Sequence, residues 1–218
     1  GKSKKVDKPP NIDIDKKIKE ELLRLGALED KYKEKFKSNY SEPIDKEKIT
    51  GIEDFILLES LRIRSPQLSY LDLSQNLLLE HLDIVSCNLL TNINISANLN
   101  LKELICYNSS LTSLDVSNNT LLEELICMGN QLTNLDITQN INLRELYISH
   151  NPISIIDISQ NVNLDEFVCM NTDLVCIDIT QNTALTELSC SNNMYLNHLN
   201  TRNGNPYILD VYANNNNL

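Results

Sequence analysis

The sequence predicts an α/β repeat solenoid: short stacked coils that share one parallel β-sheet, preceded by a helical segment. Three observations carry that expectation. A motif returns every 21 or 22 residues over some 160 residues of chain. Each period holds two short stretches in which apolar residues alternate with others, the signature of a strand. Residues 1–50 instead space their apolar residues by three and four, the signature of a helix.

The N-terminal segment, residues 1–50, comes first. Ile14, Ile18, Leu22, Leu25, Leu28, Tyr32 and Phe36 fall on one helical face. Asp13 or Asp15 can cap its start, while Gly26 weakens its middle. A solenoid needs its apolar end closed, so the expected role is a cap; a tether or a partner-binding arm is the alternative. The segment holds 14 Lys/Arg against 11 Asp/Glu, and its lysines alternate with acids as on a solvated helix face. "KSNYSEP" then links it to the repeats. The opening "GKSKK", with no start Met and no apolar signal core, reads as a trimmed end.

Residues 51–218 form the repeat domain, about eight coils of 21–22 residues. One series reads "LSYLDLSQN" from Leu68, "LTNINISAN" from Leu90, "LTSLDVSNN" from Leu111, "LTNLDITQN" from Leu132, "ISIIDISQN" from Ile153 and "LVCIDITQN" from Leu174, with a decayed "LNHLNTRNG" from Leu196. Between these runs a second series, L-x-x-L-x-[C/I/V]: "LESLRI", "LEHLDI", "LKELIC", "LLEELIC", "LRELYI", "LDEFVC", "LTELSC" and, with Pro206 in the leading position, "PYILDV". A period of 21 leaves no room for a long helix. No single coil can bury its apolar side, but each can do so against its neighbours.

The third apolar position of the strand series is filled by Ile63, Ile84, Cys106, Cys127, Ile148, Cys169, Cys190 and Val211. A thiol that trades places with Ile and Val behaves as a small buried hydrophobe. A disulfide between adjacent strands and a metal site are the sharper alternatives. The first meets awkward dihedral demands and the second lacks further ligands in the row. Cys87 and Cys176 lie outside it. The other half-repeat ends in Asn76, Asn98, Asn119, Asn140, Asn161 and Asn182, suited to bonding backbone groups of its own coil and the next. Asp72, Asp115, Asp136, Asp157 and Asp178 each precede Ser or Thr by two, the spacing of Asx-turns, with a cation-binding acidic ladder as the alternative.

Together, "LLEELICMGN" and "LTELSCSNN" closely resemble the leucine-rich repeat superfamily and its L-x-x-L-x-L-x-x-N pattern. The 21-residue period, the Cys in the third apolar position and the following "LTxLD[IV][ST]xN" resemble the cysteine-containing repeats of internalin J and of leucine-rich surface proteins of gut anaerobes. The likeness covers residues 49–218. It departs where Pro66, Cys87, Ser109 and Thr172 replace the strand-side Asn, which puts those corner bonds in question. The resemblance implies a right-handed coil, strands lining the concave side, and short extended or 3-10 segments on the convex side. It also implies a non-catalytic binding protein of the bacterial surface or exterior, with a lipid anchor as one means of attachment.

On that concave sheet three outward rows can be written. The first holds Ser60, His81, Glu103, Glu124, Glu145, Glu166, Glu187 and Ile208. The middle row holds Ile105, Ile126, Tyr147, Val168, Ser189 and Asp210, and the third Tyr107, Met128, Ser149, Met170, Ser191 and Tyr212. Lys102 and Arg144 are placed to soften the glutamate repulsion. Ile105, Tyr107, Ile126, Met128, Tyr147, Val168 and Met170 make a contiguous apolar patch of the kind that marks contact sites. The expected ligand is a protein or peptide, host-derived sources included, with Glu124, Glu145 and Glu166 selecting a basic rim. A glycan stacked on Tyr107, Tyr147 and Tyr212 is the alternative, and self-association is a third reading. A monomer is expected, or a weak dimer through the edge left at "YANNNNL".

Other classes are disfavoured. Residues 51–218 hold 5 Lys/Arg against 19 Asp/Glu, and such a body repels nucleic acid. No apolar run approaches the ~20 residues of a membrane span. His81, His150 and His198 fall on different coils, and no nucleophile elbow, P-loop or His-Glu-x-x-His occurs, so no catalytic residue, metal or cofactor is expected.

Overall fold

The computed structural model describes residues 51–205 and 210–218. The helix expected within residues 1–50, and its capping role, lie outside the described residues. The strands are β1 (Ser60–Ile63), β2 (His81–Val85), β3 (Glu103–Tyr107), β4 (Glu124–Ile126), β5 (Glu145–Tyr147), β6 (Glu166–Val168), β7 (Cys176–Asp178), β8 (Glu187–Ser189), β9 (His198–Asn200) and β10 (Asp210–Tyr212). Eight of them form one sheet in the order β1-β2-β3-β4-β5-β6-β8-β10, every pair parallel. Each strand is three to five residues long because a 21-residue coil must turn back on itself at once.

Alternation within each strand sends one face inward. Leu61, Leu82, Leu104, Leu125, Leu146, Phe167 and Leu188 stand in register and are buried. Beside them run Ile63, Ile84, Cys106, Cys127, Ile148, Cys169 and Cys190, all with no exposed surface. The thiols share the aliphatic column, as the substitution pattern required, and all six cysteines of the chain are free. Only Cys176 is exposed.

The expected end of that column is corrected. β10 pairs Asp210, Val211 and Tyr212 with Glu187, Leu188 and Ser189, two residues out of step with the "PYILDV" alignment. Val211 therefore continues the Leu188 column, not that of Cys190, and is 38% exposed at the outer strand. Ala213 packs against the core two residues later, and the Asn216 side chain takes the Asn193 backbone N–H at 2.8 Å. With this slip Ala213 enters the core and Asn216 stands at the polar corner, at the same spacing from Val211 as Cys190 and Asn193 have from Leu188.

The opposite side of each coil is mostly turn. Extended pairing there includes the two-stranded β7-β9 sheet and a bridge between Asp72 and Asn94. The one 3-10 helix among them, Ile52–Asp54, precedes the first strand and does not lie on that side as expected. Two amide ladders hold the corners. Asn76, Asn98, Asn119, Asn140, Asn161 and Asn182 are fully buried. Each donates both Nδ2 protons to the preceding coil and none to its own or the next: Asn140 to the carbonyls of Val116 (3.0 Å) and Asn119 (2.9 Å). On the strand side, Asn130 donates to the Cys106 and Cys127 carbonyls and accepts from the Leu111 N–H (3.0 Å). Where this Asn is replaced, hydroxyls rebuild part of the corner: Ser109 Oγ accepts from the Cys87 N–H (3.3 Å) and Thr172 Oγ1 donates to the Cys169 carbonyl (3.2 Å). The Asp row makes the Asx-turns its spacing predicted, as in Ser117 N–H to Asp115 Oδ1 at 3.0 Å.

Candidate functional site

The outward face of the sheet inherits its order from the ladder. Glu103, Glu124, Glu145, Glu166 and Glu187 pair in unbroken register from β3 to β8, followed by Asp210 on β10. Two residues along each strand, Ile105, Ile126, Tyr147, Val168 and Ser189 form the middle row, and the slip brings Tyr212, not Asp210, into it. The third row places Tyr107 and Met128 on adjacent coils, then Ser149 and Met170. Ile105, Tyr107, Ile126, Met128, Tyr147 and Met170 are half-buried or exposed on the outward face of neighbouring coils.

Its width is smaller than expected at two points. Val168 is 7% exposed, a short side chain beside the longer Tyr147 in register and Met170 two residues on. It contributes packing and little surface. Ser149 is fully buried, its Oγ accepting the Met170 backbone N–H at 2.9 Å.

Close spacing of like charges shows in the electrostatics. Burial raises the Glu124 carboxyl above its ordinary range, and the flanking charges of Glu103 and Glu145 push it the same way. Burial likewise drives the Tyr147 phenol well up, aided by its hydrogen bond to Glu166 and the charges of Glu145 and Glu124. Lys102 does not relieve the row; its Nζ pairs with Glu80 Oε2 at 2.8 Å. Arg144 lines an open groove with Glu123, Asn142, Asn163, Asp165 and Thr186, beside the strands' N-terminal ends. At the first coils the face changes sign, with Arg62 paired to Asp83 and His81 Nε2 lying 3.9 Å from Glu103 Oε2.

Beyond the third row lies a feature that period and polarity did not reveal. Ser86, Asn108, Gly129, His150, Asn171 and Asn192, one per coil, all adopt left-handed backbone conformations, with φ between 50° and 67°. This sharp exit ends each strand on that flank. Gly, Asn and, less strongly, His suit the conformation; Ser86 does not, and the mixture of four residue types hides the column from a reader of the sequence. A second unread feature is the exposed apolar series Leu77, Leu99, Ile141 and Val162, each just after a ladder asparagine. Thr120 and Thr183 interrupt it.

No group of three or more metal-ligating side chains gathers among the described residues, and no helix among them is long and apolar enough to cross a membrane. His81, His150 and His198 stand on different coils, with no hydrogen-bonded nucleophile beside them among the described residues.

No protein-family model and no curated protein matches the sequence. Solved structures do. The functional domain of internalin J from Listeria monocytogenes, which includes a cysteine ladder, is 28% identical over 70% of this chain and 45% of its own, with a TM-score of 0.51. A leucine-rich repeat protein of Leptospira interrogans is 23% identical over 74% and 44%, with a TM-score of 0.63. Internalin C2 of L. monocytogenes is 18% identical over 76% and 75%, with a TM-score of 0.62, a likeness of fold alone. The chain spans less than half the length of the first two. A 21-residue period, a single parallel sheet and a column that interchanges Cys with Ile converge on one conclusion: the chain is a leucine-rich repeat protein that resembles internalin J.

Proposed function

We propose that the chain is a non-catalytic binding module that captures a protein or peptide on the outward face of its eight-stranded sheet, the face the repeat family holds concave. One observation supports this reading: half-buried and exposed apolar side chains on four neighbouring coils, Ile105 to Met170, beside an unbroken column of glutamates. A solvated sheet face needs no such strip, and apolar surface with a charged border is what partners bury. Ile105, Tyr107, Ile126, Met128, Tyr147 and Met170 supply contact area. Glu124, Glu145 and Glu166 select a basic rim. Val168 supports the strip from beneath.

Placement at the bacterial surface or exterior belongs to the same proposal, supported by the likeness to an internalin domain. Accessibility of the chain to protease on intact cells of its source tests it.

Immobilised chain and its Tyr147→Asp/Met128→Asp variant are compared for capture of partners from extracts of candidate host and bacterial cells. Loss of capture with an unchanged thermal midpoint supports the reading; capture undiminished in the double variant overturns it. A glycan ligand would instead appear as binding on a saccharide array. The tyrosines it would stack on are not equivalent: Tyr107 is 38% and Tyr212 49% exposed, while Tyr147 is half-buried in register with Ile126 and Val168.

A further inference from the structure

The two flanks of the apolar strip differ in charge. Along the strands' N-terminal ends stand Glu103, Glu124, Glu145, Glu166 and Glu187, in register and without interruption. Along the opposite flank stand the left-handed residues Asn108, Gly129, His150, Asn171 and Asn192, which carry no carboxylate and no permanent cation. A ligand symmetric about its own axis would waste one of these borders.

Spacing narrows the class further. Neighbouring coils repeat every ~4.8 Å, and from the glutamate row to the third row is four residues of strand, ~13 Å. An α-helix ~10–12 Å across, with a pitch of 5.4 Å, covers that width and advances one turn for nearly every coil. Over the five glutamates the four intervals sum to ~19 Å against ~22 Å for four turns, a difference that Lys side chains can absorb. A partner lying across the coils as an extended strand repeats its outward side chains every ~6.6 Å and drifts from the glutamates by ~2 Å at each coil.

We propose, on the basis of the contact reading above, that this face recognises an amphipathic α-helix lying along the solenoid axis, apolar toward the strip and cationic on one flank only. The cationic row, one residue per turn, meets the glutamate column and relieves the mutual repulsion of its carboxylates. The neutral flank faces the left-handed column. Because turning the helix end for end exchanges its flanks, the single charged border also fixes which way the helix runs.

Three 18-residue helical peptides with the same apolar stripe test this by fluorescence anisotropy on the full chain. One carries Lys at one position per turn on one flank, the second carries Gln there, and the third carries Lys on both flanks. At low salt the one-flank Lys peptide should bind about tenfold or more tightly than the Gln peptide, with the difference shrinking in 0.5 M salt. The two-flank peptide should gain no more than about twofold, the statistical factor for its two directions. In Glu124→Gln/Glu145→Gln the Lys and Gln peptides should converge. Equal binding of Lys and Gln peptides to the native chain overturns the proposal, and so does a second large gain from the second Lys flank. If both peptides bind and both are lost in Tyr147→Asp/Met128→Asp, the contact reading survives that failure. If no peptide binds, the helix proposal falls, and partner capture alone judges the contact reading.

Discussion

Cys127 shows why a thiol can stand in a column of Ile. It is fully buried, and burial pushes it up to about 12, so it stays protonated and unreactive at neutral pH. Cys106 and Cys169 are raised well above the ordinary range by burial first and by a neighbouring thiol second, and Cys190 is raised to about 11. A thiol reagent should therefore label one of six cysteines in the native chain, Cys176, and all six after unfolding in urea. Intact-mass counting reads the result. Gly129 is the other instructive residue. Its φ is +67°, and an added Cβ would sit 2.1 Å from Asn108 Oδ1. Gly129→Ala should lower stability by about 1–2 kcal/mol from the left-handed backbone alone, measured by urea denaturation. Adding Asn108→Ala should recover only the steric part.

At the level of strands and ladders, the sheet's like charges set a pH dependence. A folded-state pKa above the unfolded one means that protonation favours folding. The stability linked to Glu124 is thus fully present below the ordinary carboxyl value of 4.5, and is lost as pH rises through its raised native value. Glu124→Gln should then be more stable than the parent at pH 7, and the difference should vanish in melts near pH 4. The Asx-turn aspartates act oppositely. Asp115 and Asp136 are held below 3.8 by their bonds to Ser117 and Thr138, so their contribution is present at neutral pH and fades on acidification through those lowered values. The buried amide ladder is stronger support. Asn140→Ala strands the Val116 and Asn119 carbonyls, and each buried unpaired group costs about 1–3 kcal/mol. The Oδ1 of each such asparagine accepts no hydrogen bond among the described residues, which offsets part of what the ladder contributes. Asn140→Ala should lower the urea midpoint clearly more than Asn142→Ala, because the exposed Asn142 makes one bond, to the Thr120 carbonyl.

For the molecule as a whole, the period made the sheet legible, because a 21-residue repeat and strand alternation leave one way to bury Leu104, Leu125 and Leu146 together. The outward rows followed from the same alternation up to β8. They failed at β10, where "PYILDV" looks like the repeat but the strand pairs two residues out of step, which sets Ala213 against the core and Asn216 at the Asn193 corner. The left-handed column is not legible because four residue types, Ser, Asn, Gly and His, share it, and Ser86 carries no signature of that backbone. Val168 was misplaced as surface because exposure depends on the neighbours' reach, which a list of residue types does not contain. The ladder has a consequence for how such chains can change over generations. Every amide of the ladder from Asn98 to Asn182 reaches back one coil, over 21 to 25 residues, and no farther. Unequal recombination that drops or duplicates one whole period would leave each surviving amide facing the same carbonyls, so descendants can lengthen or shorten the contact face one rung at a time without inventing a new fold.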